Sequence, residues 1–79
     1  MRADKLVTEA ELAALAKKHR IGSGKNRAEA ARELSVARQA IIYAEDHPEM
    51  SLTKLRRRLI ETYSTQRVTG PLFLIKNKP

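Results

Sequence analysis

The spacing of apolar residues along most of the chain predicts four short helices. Apolar positions recur every three or four residues, which is the period of a helix with one buried face. The breaks between these runs hold Gly, Ser or Pro, which favour turns. The predicted helices cover about residues 8–20, 27–34, 37–44 and 51–63.

Cap residues support the predicted helix starts. Thr8 is followed three residues later by Glu11, which is the spacing of a capping box. Asn26 is a good N-cap, and Glu29 lies where a carboxylate favours the helix dipole. Ser51 is the expected N-cap of the fourth helix.

The pattern changes after the fourth predicted helix. Residues 67–75 are rich in β-branched and large apolar side chains and predict a strand, bent at Gly70-Pro71. A lone strand leaves an open edge that needs a partner. The partner is residues 2–7 of the same chain, the same strand of a second copy, or both. The expected fold is mainly α: a single domain over 1–79, with a four-helix bundle and a C-terminal strand.

Charge suggests an acidic partner. The net charge is +7 and the pI is about 10.3, and the partner of such a small basic protein is usually nucleic acid, an anionic membrane surface or an acidic protein. Residues 51–79 hold seven basic groups and one acidic group, whereas residues 22–50 hold four basic and five acidic groups. The excess charge therefore lies mainly in the C-terminal third.

Several function classes lack support in the sequence. There is no cysteine for a disulfide or a thiolate zinc site, and no apolar run of about 20 residues for a membrane span. His19 and His47 have no second ligand at metal spacing, and the residues around the serines do not suggest a nucleophile. We expect a non-enzymatic protein without cofactor or metal, located in the cytoplasm.

Residues 27–46 have the pattern of a helix-turn-helix. Two helices that cross steeply need a small residue at the crossing, here Ala31. The turn needs a residue that tolerates a left-handed backbone, here Ser35, and an apolar plug, here Val36. Ile41 and Ala44 then form the inner face of the third predicted helix.

The same stretch resembles the lambda repressor and Cro-like helix-turn-helix family. The residues that carry the resemblance are Ala31, Leu34, Val36, Arg38, Gln39, Ala40 and Ile41. It extends over roughly residues 8–63. Ser35 stands where the family usually has Gly, and Ala37 stands where Ser or Thr often caps the third helix. The resemblance implies a sequence-specific transcriptional regulator of prokaryotic or phage type that binds double-stranded DNA.

The resemblance also implies a set of DNA contacts. The exposed side of the third helix would meet base edges through Ala37, Arg38, Gln39, Ile42 and Tyr43. Phosphate contacts would come from Lys25, Asn26 and Arg27 at the start of the second helix. Apart from the resemblance, the basic run Arg56, Arg57 and Arg58 in the fourth helix is either a second phosphate contact, through Arg56 and Arg57, or an ordinary solvent-exposed face. The acids Glu45, Asp46 and Glu49 should face away from the duplex.

Dimerisation is expected at the last strand. Cro-like proteins pair through C-terminal strands, and the corresponding residues here are Leu72, Phe73, Leu74 and Ile75. A homodimer would place two reading helices about one DNA turn apart, on a palindrome-like operator. The alternative is a protein-interaction or RNA-binding module that uses the basic C-terminal third.

Overall fold

A computed structural model describes residues 5–6, 8–69 and 74–77 of the chain, with side chains for residues 8–66. Four helices make up most of it: α1 (Glu9–Gly22), α2 (Arg27–Leu34), α3 (Arg38–Asp46) and α4 (Thr53–Tyr63). The prediction of a small, mainly helical bundle is confirmed.

The first two helices begin at the predicted caps. The Thr8 hydroxyl accepts from the Glu11 N–H at 3.2 Å, and the Glu11 carboxylate accepts from the Thr8 N–H at 2.8 Å. Asn26 and Glu29 form the same reciprocal pair at the start of α2. Each box satisfies two backbone donors that the helix itself cannot satisfy.

The last two helices begin without a side-chain cap. Ala37 precedes α3 and has no hydroxyl to offer, as its departure from the family pattern implied. The predicted Ser51 cap is wrong, because Leu52 occupies the N-cap position of α4 and makes no side-chain cap bond. Packing of the apolar face therefore has to hold α4 in place, which is the usual source of helix stability in proteins.

All four helices contribute to one core. Its well-shielded members are small or aliphatic, which permits close helix contacts. They are Leu12, Ala16, Ala30, Ala31, Leu34, Ile41, Ala44, Leu59 and Ile60. Partly buried side chains close its edges: Leu15, Val36, Leu52, Leu55 and Tyr63. Burial of each large aliphatic side chain contributes about 1.5–3 kcal/mol to folding.

Three short strands accompany the helices in the described part of the chain. They are β1 (Lys5–Leu6), β2 (Gln66–Thr69) and β3 (Leu74–Asn77), in the order β1-β3-β2 with antiparallel pairing throughout. The structure thus divides the expected strand over 67–75 into two strands. Pro71 lies between them in the sequence, and proline lacks the N–H that a continuous ladder needs.

The strand order bears on the expected dimer contact. Leu74 is paired with Leu6 on one side and Thr69 on the other, and Ile75 is likewise paired on both sides. Neither residue has a free backbone edge for a second copy, so the expectation that these two residues pair across a dimer needs correction. Leu72 and Phe73 lie outside the described residues.

No helix in the described part of the chain is long and apolar enough to cross a membrane.

Candidate nucleic-acid interface

The link between α2 and α3 has the backbone conformation that the sequence predicted for this turn. Ser35 adopts the left-handed conformation, with φ 57° and ψ 45°. The Val36 N–H donates to the Ala31 carbonyl at 2.9 Å, and the Val36 side chain packs on the core. Ala31 is 5% exposed and belongs to the core.

The two sides of α3 differ in exposure. Ile41 and Ala44 are completely shielded from solvent, which confirms the predicted inner face. The candidate base-contacting residues lie elsewhere on the helix and at its start: Ala37, Arg38 and Gln39 are exposed, and Ile42 and Tyr43 are half-buried. The Tyr43 ring meets the ring of His47 edge-to-face, with centroids 5.3 Å apart.

Glu45, near the end of α3, is the centre of a buried ion cluster. Its carboxylate accepts from Arg20 Nε at 2.5 Å, from Arg20 Nη2 at 2.9 Å and from Arg27 Nε at 3.1 Å. Arg20 belongs to α1 and Arg27 to α2, so the cluster joins three helices. A buried carboxylate is tolerated only with such partners.

Asp46 extends the cluster to the surface. It accepts from Arg27 Nη2 at 2.7 Å and from Lys17 Nζ at 3.3 Å. Desolvation raises the pKa of Asp46, but the bonds from Arg27 and Lys17 outweigh it and leave that pKa below its usual value. Glu49 lies beyond α3, 2.9 Å from His47 Nδ1. The three acids thus lie at or beyond the C-terminal end of α3, and its first turn has no acidic residue.

The expected phosphate contacts at the start of α2 are already engaged within the protein. Lys25 forms an ion pair with Glu33 at 2.9 Å, and this bond raises the lysine pKa. The Asn26 side-chain oxygen is used by the helix cap. Arg27 is held by Glu45 and Asp46. A phosphate would have to compete with these acceptors.

Arg56 requires a correction, because its side chain is completely buried. Its Nε donates to the Ala44 carbonyl at 2.8 Å, and its Nη2 donates to the His47 carbonyl at 2.7 Å. Its Nη1 donates to the Met50 carbonyl at 2.9 Å and to the Glu9 carboxylate. Arg56 therefore ties the α3–α4 loop to both flanking helices and cannot reach a phosphate.

The exposed basic groups of α4 lie on a different side of that helix from Arg56. Lys54 and Arg58 are exposed and Arg57 is half-buried, and together with Glu61 they line a shallow groove. Arg58 also donates from Nη2 to the Leu34 carbonyl at 2.7 Å. Sequence reasoning treated Arg56, Arg57 and Arg58 as one basic run. The helical period, which places residue 56 with Leu52, Leu59 and Ile60, was the signal that separates them.

No cluster of three potential metal-ligating side chains occurs within the described residues. Comparison of the chain with protein-family models, curated proteins and solved structures gave no match.

Proposed function

We propose that this protein is a sequence-specific DNA-binding regulator of the repressor type, with α3 seated in the major groove. The observation that carries the proposal is the start of α3. Directly after a left-handed turn, α3 presents Arg38 and Gln39 to solvent, and neither makes an ion pair or side-chain hydrogen bond with another described residue.

These two side chains have the chemistry for base reading. An arginine can donate two parallel bonds to guanine O6 and N7, and a glutamine can bond adenine N6 and N7. Each such pair discriminates against a wrong base by about 1–3 kcal/mol. Ala37 and Ile42 offer apolar contact to thymine methyl groups, and Tyr43 is a candidate for the sugar-phosphate backbone.

The electrostatics support the same orientation. Two of the acids near the end of α3, Glu45 and Asp46, are neutralised by Arg20, Arg27 and Lys17, so neither presents a free negative charge to an approaching phosphate. The net charge of +7 favours association with a polyanion. The protein would act in the cytoplasm, at the nucleoid.

A homodimer is part of the proposal. Two copies would present two α3 helices to a palindrome-like site, with half-site centres about 34–36 Å or a multiple of that apart. Because β3 is paired on both sides at Leu74 and Ile75, the second copy would add to an outer strand, β1 or β2.

Selection of bound sites from random duplex DNA tests the proposal. The wild type should enrich one motif, whose symmetry and spacing indicate whether two copies bind together. An Arg38→Ala, Gln39→Ala double variant should lose that preference while retaining weak binding to any duplex. Lys18→Ala is the matched control, because it removes one exposed cation from α1. Failure to enrich any motif, or a double variant with unchanged preference, would contradict base reading by α3.

A further inference from the structure

The outer side of α4 carries a basic groove that the base-reading residues do not use. Lys54, Arg57 and Arg58 are spaced three and four residues apart, so their side chains share one side of the helix. They line the groove together with Glu61. No other described residue forms an ion pair with any of the three basic groups.

Arg57 is the member of the groove with an unsatisfied donor. Its Nε is shielded from solvent and has no hydrogen-bond acceptor among the described residues. A buried donor without an acceptor destabilises a protein by about 1–3 kcal/mol. Most such donors in folded proteins are satisfied. The shielded Nε cannot itself meet an outside acceptor in this conformation, so a ligand would contact Arg57 through its Nη nitrogens, which make no hydrogen bond with another described residue.

The position of the groove connects it to α3. Arg58, at one side of the groove, donates to the Leu34 carbonyl at 2.7 Å. Leu34 is the last residue of α2, and the left-handed Ser35 follows it directly. The groove therefore adjoins the turn that leads into α3. Phosphates flank the major groove, so groups beside a reading helix are placed to contact them.

We infer that the groove formed by Lys54, Arg57 and Arg58 binds a backbone phosphate of the duplex whose bases α3 reads. Arginine matches phosphate oxygens with paired donors, and lysine adds a point charge. This inference rests on the proposed function and adds the source of affinity. The other expected phosphate contacts, Arg56 and Arg27, already bond to acceptors inside the protein.

The test is a salt titration of DNA binding by the full chain. The groove variant is Lys54→Gln with Arg57→Gln, which removes two cations and the unsatisfied Nε. The control is Lys18→Gln with Arg32→Gln, which also removes two exposed cations but leaves the groove intact. Dissociation constants are measured on a selected duplex and on a scrambled one, from low to moderate salt.

The groove variant should weaken binding to both duplexes by the same factor and retain the sequence preference. The slope of log K against log salt should become shallower by about 0.9 for each phosphate that the variant no longer neutralises. The control double variant should bind more tightly than the groove variant and keep a slope nearer that of the wild type.

Three results would overturn the inference. The groove variant could match the control in affinity and slope. It could lose affinity for single-stranded RNA or for anionic vesicles while binding duplex DNA normally. It could also weaken only the selected duplex, which would indicate base reading instead of phosphate binding. The proposed function is judged separately, by whether the Arg38→Ala, Gln39→Ala variant loses sequence preference.

Discussion

Arg56 and Arg57 are neighbours in the chain, yet they belong to two different regions of the molecule. The Arg56 side chain is buried between α1, α4 and the α3–α4 loop, where every one of its three nitrogens donates a hydrogen bond. Arg57 lies on the outer side of α4, and its Nε has no partner among the described residues. One arginine is fully hydrogen-bonded inside the protein, and the other makes no hydrogen bond or ion pair with another described residue.

The other basic residues also fall into two groups, those bonded inside the protein and those exposed to solvent. Arg20 and Arg27 neutralise Glu45 inside the helical bundle, whereas Arg38 extends into solvent from the start of α3. A formal charge of +7 therefore does not describe a uniformly basic surface. The charge proposed to bind DNA lies on the outer sides of α3 and α4, because the arginines of the interior are already neutralised or bonded.

The comparison predicts its largest effect at Arg56. Arg56→Ala leaves the half-buried carboxylate of Glu9 without its guanidinium. It also removes the side-chain donor from the carbonyls of Ala44, His47 and Met50, of which the last two keep a backbone N–H donor. The free energy of unfolding should fall by about 3–5 kcal/mol, as when one partner of a buried pair is removed. Urea denaturation measures the change. Arg57→Ala, the neighbouring control, removes the unsatisfied Nε and should not lower the free energy of unfolding. Equal losses of stability in Arg56→Ala and Arg57→Ala would contradict the assignment of only Arg56 to the structural interior.

Glu45 and Asp46 provide a second neighbouring pair. Glu45→Gln removes the charge that two arginines bond in the interior, and should reduce stability by about 1.5–3 kcal/mol. Asp46→Asn breaks a solvent-exposed pair and should reduce it by less than about 1 kcal/mol. Thermal unfolding at neutral pH compares them. A larger effect of Asp46→Asn would indicate that the surface pair, not the buried one, holds α3 in place.

A glycine in the turn between α2 and α3 should increase stability. Ser35 has φ 57°, a conformation in which a Cβ atom crowds the backbone. Glycine has no Cβ and adopts this conformation freely. Ser35→Gly should stabilise the fold by about 0.5 kcal/mol, since relief of about 1–2 kcal/mol of strain is offset in part by chain entropy. Ser35→Val should destabilise it, because β-branched residues avoid this conformation. Denaturation midpoints of both variants check the turn, and a stable Val variant would contradict it.

The smallest effect concerns the contact between α2 and the end of α4. Burial, and then the 2.5 Å hydrogen bond to Glu33, raise the pKa of Tyr63 to about 12. Since the unfolded phenol ionises near its ordinary value of 10.0, stability should be unaffected below that pH and decline as pH rises toward 12. Absorbance titration of a Tyr43→Phe variant isolates Tyr63. Adding Glu33→Gln to this variant should lower the midpoint of the Tyr63 titration. A midpoint near 10 while Glu33 is still present would contradict the contact.

Local sequence signals predicted most of the helical framework. Thr8 with Glu11 and Asn26 with Glu29 identified two helix starts, because a capping box involves only residues close together in sequence. Such signals failed at Ser51, where packing of α4 places the N-cap one residue further on, at Leu52, and no side chain caps the helix. The exposure of Arg38 and Gln39 followed from helical period once Ile41 was assigned to the core.

Charge partners were much less predictable. Glu45 meets Arg20 across 25 positions of the chain, and Arg56 meets Glu9 across 47. No local pattern links residues so far apart, because helix packing brings them together. Reasoning from the sequence therefore assigned Arg27 and Arg56 to DNA, when both are occupied by acceptors within the protein.

The sequence by itself determined the elements of the segment from α2 to α3: two short helices, a left-handed serine between them, and an apolar inner face on α3. These features follow from the backbone preferences and side-chain periods of neighbouring residues. Only the tertiary structure decided which basic side chains remain available to a ligand. That outcome depends on which carboxylates and carbonyls lie within hydrogen-bond distance after the four helices have packed, and this is a property of the assembled bundle.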